Sequence, residues 1–255
     1  TIANVAVPTI AGSMGVCARE GTSIISSYSL AAAIAVPLTG WLSRRVGEVR
    51  LLIISVLLFT LFSVLCGMAT NYNMLVFFRL MQGLVSGPMV PLGQSLMMNS
   101  YPPEKRGMAT AFFVMAVVIA PVMGPVLGGY LTENYSWPWI FYINVPIGLF
   151  CAFSIYTLLK GRETPITREP IDYIGLSLLV VGVGSLQYML EHANDLGWYE
   201  SNEVVVLTVM AVVGLVLMVI WEWLDKHPVV DLHLLLNRNF TMGTTMQTIG
   251  FTIFF

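Results

Sequence analysis

Charge is scarce in this chain. Only 10% of its residues are charged, where a soluble domain carries about 25%. Acids are missing from the middle of every long apolar run. All fourteen Asp and Glu fall in connections or at helix ends. Histidine occurs three times, at His192, His227 and His233, each in or near a connection. With no mid-run Ser/His pair, paired carboxylate or His/Cys cluster, the sequence excludes a membrane-embedded enzyme. The cysteines are Cys17, Cys66 and Cys151. They are odd in number and far apart, so they form neither a disulfide framework nor a metal pattern. Cys66 and Cys151 read as small apolar residues in helices. No filter or ring motif supports a channel. No metal or cofactor is expected, and a net charge of −2 gives no footprint for nucleic acid. No basic region precedes the first apolar segment, so no cleavable secretory signal is visible.

What is abundant is apolar length. The chain is 56% hydrophobic with a mean hydropathy of +0.79. The charge-free runs are too many and too long for one buried core helix. Residues 1–11 read as the end of a first span and 12–21 as a short polar turn. Further spans are expected at 22–42, 51–69, 74–98, 107–131, 139–159, 174–190 and 204–223. A last run starts at Phe240 and reaches about 24 Å as a helix, short of the roughly 30 Å hydrocarbon core. The expectation is a fragment at both ends. The clustered Trp137, Trp139, Phe141 and Tyr142 read as an interfacial aromatic belt.

Lys and Arg divide unevenly among the connections. Alternate connections hold Arg44, Arg45 and Arg50, then Lys105 and Arg106, then Lys160, Arg162 and Arg168, then Lys226 and Arg238. The other set holds only Arg19, and Arg79 lies inside a span. Basic connections stay in the cytoplasm during insertion, so these four are expected there. Connection 191–203, with Glu191, Asp195, Glu200 and Glu203 and no Lys or Arg, is expected to face outward. The charged stretch 160–172, with Pro165 and Pro170, is the best boundary in the chain.

Residues 120–129 read A-P-V-M-G-P-V-L-G-G. Pro121 and Pro125 stand four apart, so each removes an amide donor from one helix face. Gly124 and Gly128 share the same spacing and leave a stripe where another backbone can come close. Gly129 extends the string. Plain helix packing explains a lone GxxxG equally well.

Four segments carry a family resemblance. Residues 1–8, T-I-A-N-V-A-V-P, resemble part of a first-helix motif. Residues 40–50, G-W-L-S-R-R-V-G-E-V-R, resemble a loop motif, with Gly40, Arg44, Arg45, Gly47 and Arg50 at its matching positions. Arg79, Gln82 and Gly83 resemble the fourth-helix motif R-x-x-Q-G. The 120–129 string resembles the fifth-helix antiporter motif, with Ala120 in place of a glycine. Residues 139–148, W-I-F-Y-I-N-V-P-I-G, are typical of the same branch. Together they resemble the drug:proton antiporters of the major facilitator superfamily, specifically the fourteen-helix EmrB-type exporters. The resemblance implies an all-α integral membrane fold. Residues 1–160 would form a six-helix transport half, 161–238 a linker and two additional helices, and 239–255 the start of a second half. It implies proton-motive-force-driven export of lipophilic drugs across a bacterial inner membrane by alternating access. Its implied partners are lipophilic substrates, protons, lipids, and a periplasmic adaptor with an outer-membrane channel. The other transport reading is a proton-coupled symporter or facilitator for a small nutrient, against which the antiporter string argues.

Two departures matter. The loop motif usually has an Asp where this chain has Arg44, so Glu48 or a different lock must take over, or there is none. An equal alternative is that Arg44, Arg45 and Arg50 only anchor topology. The family's first-helix Asp falls two residues before Thr1. Arg79 is the sole mid-span charge. It either snorkels to the headgroups or faces a central cavity, where its charge would help that Asp release its proton. Asn4 and Gln82 are weaker candidates to line the cavity, and each could instead be satisfied by an interhelical hydrogen bond. Met81, Met115 and Met123 suit a promiscuous apolar wall, though methionine is more often ordinary membrane packing.

Overall fold

Backbone polar groups in a bilayer must be satisfied within the chain, so long apolar runs fold as helices. The computed structural model describes residues 2–167, 172–193, 197–198, 201–225 and 231–254, except for the side chains of 18, 19, 191 and 251–254. Thr1, Arg168, Pro170, Asp195, Glu200, Lys226 and His227 lie outside the described residues. Among the described residues there is no strand, and seven helices are long and apolar enough to cross a membrane. The chain divides into two compact units, Thr1–Arg168 and Glu169–Phe255.

The first unit contains α1 (Ile2–Met14), α2 (Ala18–Val46), α3 (Glu48–Gly67), α4 (Tyr72–Ser86), α5 (Met89–Ser100), α6 (Arg106–Asn134), α7 (Trp139–Tyr142) and α8 (Asn144–Leu158). Helix α1 continues to Met14, so the expected 12–21 turn shrinks to three residues. Gly15 makes that reversal with φ +69°, a conformation glycine adopts without a Cβ clash. The expected fourth span is two helices. It breaks at Gly87–Pro88, where proline supplies no amide. The sixth span is likewise split at Ile143. Polar caps set other starts. Asn71 accepts from Met74 N at 2.9 Å, and Asp172 accepts from Ile174 N and Gly175 N.

Two apolar clusters hold this unit together. One joins Ala6, Ile10, Ile24, Cys66, Leu75 and Phe141. The other joins Val49, Leu52, Val56, Leu92, Leu96 and Ala152. Along α3, α4 and α8 a polar layer falls between them, with Ser63, Arg79, Gln82 and Asn144. Phe141 is 2% exposed and belongs to the first cluster, so it is not part of an aromatic belt. Its neighbour Trp139 does lie open and stacks edge-on with Tyr142.

The second unit contains α9 (Tyr173–His192), α10 (Asn202–Leu224), a 3₁₀ turn (Leu232–Leu236) and α11 (Arg238–Phe254). Helices α9 and α10 run antiparallel and cross at two glycines. A Cβ on Gly214 would stand 3.0 Å from the Gly182 Cα. The Trp221 ring N–H donates to both Asp172 oxygens at 3.0 Å.

Candidate functional site

The site begins with the buried face of α4. Leu75, Arg79, Gln82 and Gly83 are buried, at spacings of four, seven and eight from Leu75. That is one side of a helix. Leu75 enters the apolar cluster, and the next turns bring polar groups to the same face. Arg79 is 8% exposed and Gln82 1%. The arginine therefore does not snorkel. Its Nε donates to the Ile24 carbonyl on α2 at 3.1 Å, and its Nη1 donates to Gln82 Oε1 at 2.8 Å. Its guanidinium carbon lies 4.3 Å from the centre of the Tyr28 ring and 5.7 Å from that of Phe141.

Helix α2 reaches α4 closely because α4 presents glycine. A Cβ on Gly83 would collide with the Tyr28 carbonyl oxygen, and one on Gly87 would stand 3.0 Å from the Ala32 oxygen. Arg79, Gly83 and Gly87 thus form one stripe along α2. Opposite, Asn144 Nδ2 donates to Ser63 Oγ at 2.9 Å, and Ser63 Oγ donates to the Phe141 carbonyl at 3.0 Å. Arg79, Gln82, Phe141 and Asn144 border a cavity of about 340 Å³ whose wall also includes Asn4 and Tyr28. Chemically it is an amphipathic chamber with a fixed positive charge and amide groups on an aromatic and aliphatic wall. Met115 lies on α6 at 49% exposure, outside the wall of this cavity.

The glycine string on α6 is resolved residue by residue. Gly124 and Gly128 are buried and Pro125 is exposed. A Cβ on Gly128 would stand 2.6 Å from the Ile2 carbonyl oxygen, so α6 and α1 meet backbone to backbone. A Cβ on Gly129 would meet nothing within 4 Å. The helix continues through Pro121 and Pro125.

The loop motif is gripped from an unexpected direction. Gly47 turns the chain with φ +97° between α2 and α3. The carboxylate of Glu163 then accepts from Val49 N at 3.0 Å and Arg50 N at 3.1 Å. Thr164 Oγ1 accepts from Glu48 N at 3.1 Å, and Thr167 N donates to the Arg44 carbonyl at 2.8 Å. A carboxylate on the first amides of a helix satisfies orphan donors and meets the positive end of the helix dipole. A Cβ on Gly47 would occupy the place of that carboxylate. Arg50 Nε lies 3.6 Å from Glu163, and the Arg45 guanidinium sits 5.2 Å over Trp41. Glu48 accepts from Ser95 Oγ on α5 at 3.3 Å. Gly40 is exposed, with open space where a Cβ would be.

Sequence reasoning missed Tyr28, Ser63, Asn144 and Glu163. Asn144 had a signal, an amide inside an apolar run.

A family model described as the Major Facilitator Superfamily matches residues 1–255. The chain is 49% identical over 255 residues to the Multidrug export protein EmrB of Escherichia coli (strain K12), covering 100% of this chain and 50% of that protein. It is 48% identical over 254 residues to the Fatty acid resistance protein FarB of Neisseria gonorrhoeae, again covering 100% and 50%. It therefore spans about half the length of these curated relatives. Among solved structures, a peptide transporter, POT, in complex with sulfate superposes with a TM-score of 0.60 at 17% identity, over 87% of this chain and 48% of that one. At that identity the likeness is one of fold.

Proposed function

The chain belongs to the Major Facilitator Superfamily, and from that premise we propose that it is part of a proton-coupled exporter of lipophilic compounds, with residues 1–160 as its N-terminal transport half, 161–238 as a linker and two additional helices, and 239–255 as the start of its second half. The observation that carries this reading is Arg79, a buried charge on the wall of a membrane cavity. A charge at that depth is costly and marks an ion or substrate path. The relatives named for multidrug export and fatty acid resistance support the substrate class.

In this reading the charge of Arg79 helps an acid on the first helix, which the family resemblance would place two residues before Thr1, to give up its proton. Substrate entering the chamber competes with the proton for the same electrostatic site. The close α1–α6 contact at Gly128 lets the two helices move as one body when the access side changes. Arg44, Arg45 and Arg50 with Gly47 form the cytoplasmic joint, the alternating Lys and Arg pattern setting the orientation in a bacterial inner membrane. A periplasmic adaptor and an outer-membrane channel are the proposed partners, by analogy with EmrB-type pumps.

The test is proton release on adding a lipophilic dye such as Hoechst 33342 to proteoliposomes holding the full-length protein. Release that saturates with dye is expected. Dye uptake with no accompanying proton movement overturns the antiport reading.

A further inference from the structure

In an exchange cycle, a fixed cation and a titratable acid cannot stay paired throughout. Once the acid takes up a proton, the cation is left in a low-dielectric chamber without its counter-ion. An unpaired buried charge is expensive. Arg79 shows how this chain meets that condition. Two of its nitrogens are fixed in the guanidinium plane by the Ile24 carbonyl and Gln82 Oε1. Neither partner is an anion. The Tyr28 ring, 4.3 Å away, gives the cation the negative side of its quadrupole, and Phe141 adds a second ring at 5.7 Å. The titratable groups that face Arg79 from neighbouring helices are the Tyr28 phenol on α2 and the Cys66 thiol on α3. Among the described residues no carboxylate of α1, α2, α3, α4 or α8 does so.

We infer that Tyr28 is a positioning residue that lodges the Arg79 guanidinium during the half-cycle in which the proton-carrying acid is neutral. This rests on the antiport reading above. The ring holds Arg79 aside in the protonated state and yields it when the acid ionises. The position of Tyr28 is itself fixed, because Gly83 brings α4 onto its carbonyl oxygen. The phenol hydroxyl makes no hydrogen bond among the described residues, so the ring is what acts.

A sign prediction follows. Removing the ring destabilises the state in which the acid is protonated, so protons should leave at lower pH. Removing Arg79 removes the charge that drives protons off, so they should leave at higher pH or not at all. The experiment measures the pH midpoint of Hoechst 33342-induced proton release in proteoliposomes of the full-length protein. Tyr28→Leu should lower the midpoint by about one unit, the scale of a desolvated cation–π contact. Tyr28→Phe should restore the parental midpoint. Melting of both variants is read alongside, so that a merely unfolded Tyr28→Leu is recognised and Tyr28→Met takes its place. An unchanged or raised midpoint in a folded variant without the ring overturns the inference, as does a Tyr28→Phe midpoint equal to that of Tyr28→Leu. No proton release from the parent protein overturns the antiport reading itself, a separate result.

Discussion

Arg79 was legible in the sequence because a charge inside an apolar run is conspicuous wherever it stands. Its partners were not. Ile24 contributes a backbone carbonyl, and Tyr28 is one of ten tyrosines. The hydrogen bond to Ile24 joins residues 55 apart, a pairing decided by helix packing and invisible to local pattern. Arg79→Ala should abolish dye–proton exchange while leaving dye binding to the apolar wall. Arg79→Lys keeps the charge but cannot supply the planar fork that meets Ile24 and Gln82 together. Losing one charge-assisted hydrogen bond, about 1.5 kcal/mol, should lower exchange roughly tenfold. Exchange rates and equilibrium dye binding on the same preparations check both. Proton release by Arg79→Ala at the parental pH midpoint would reduce the residue to a packing anchor.

The helices themselves were readable because a membrane demands about 20 consecutive apolar residues, and the expected spans agree with the observed ones to within a few positions. The breaks were harder. Hydropathy runs unbroken through Gly87–Pro88, and only the missing amide and the close approach of α2 decide that a helix ends there. The glycine string shows the same limit. Spacing made Gly124 and Gly128 candidates and the motif resemblance added Gly129, but the partner backbone separates Gly128 from Gly129. Gly128→Leu must push α6 off Ile2, at a cost of about 1–3 kcal/mol from overpacking, and should lower the melting temperature and stop transport. Gly129→Leu meets open space within the first unit and should melt like the parent. Equal melting of the two variants in detergent would remove the backbone-contact argument. Gly83→Leu should be as damaging as Gly128→Leu, since it strikes the Tyr28 carbonyl.

For the molecule as a whole, the uneven basic residues predict the orientation. In a Cys17→Ser background, which removes an exposed thiol, a cysteine at Ser136 should react with an impermeant maleimide added to intact cells, and one at Glu104 should not. The opposite pattern would invert the topology. The 160–172 stretch was read as a boundary because of its prolines and charge, and nothing in that composition said that its first residues return to α3. Glu163→Ala leaves two amides of α3 without their acceptor. That should cost about 1 kcal/mol and lower melting by about 2–4 °C, with Glu163→Gln intermediate. A melting curve for either variant that overlays the parent's would show the contact to be incidental. The same contact also sets a clock. Glu163 closes on amides that left the ribosome 114 and 113 residues before it. During synthesis the α2–α3 joint must therefore wait, with its helix start open to water, until five further helices have been made. Nascent chains stalled before Glu163 emerges should be cut by cytosolic protease at the joint, and chains stalled well after Thr167 should resist.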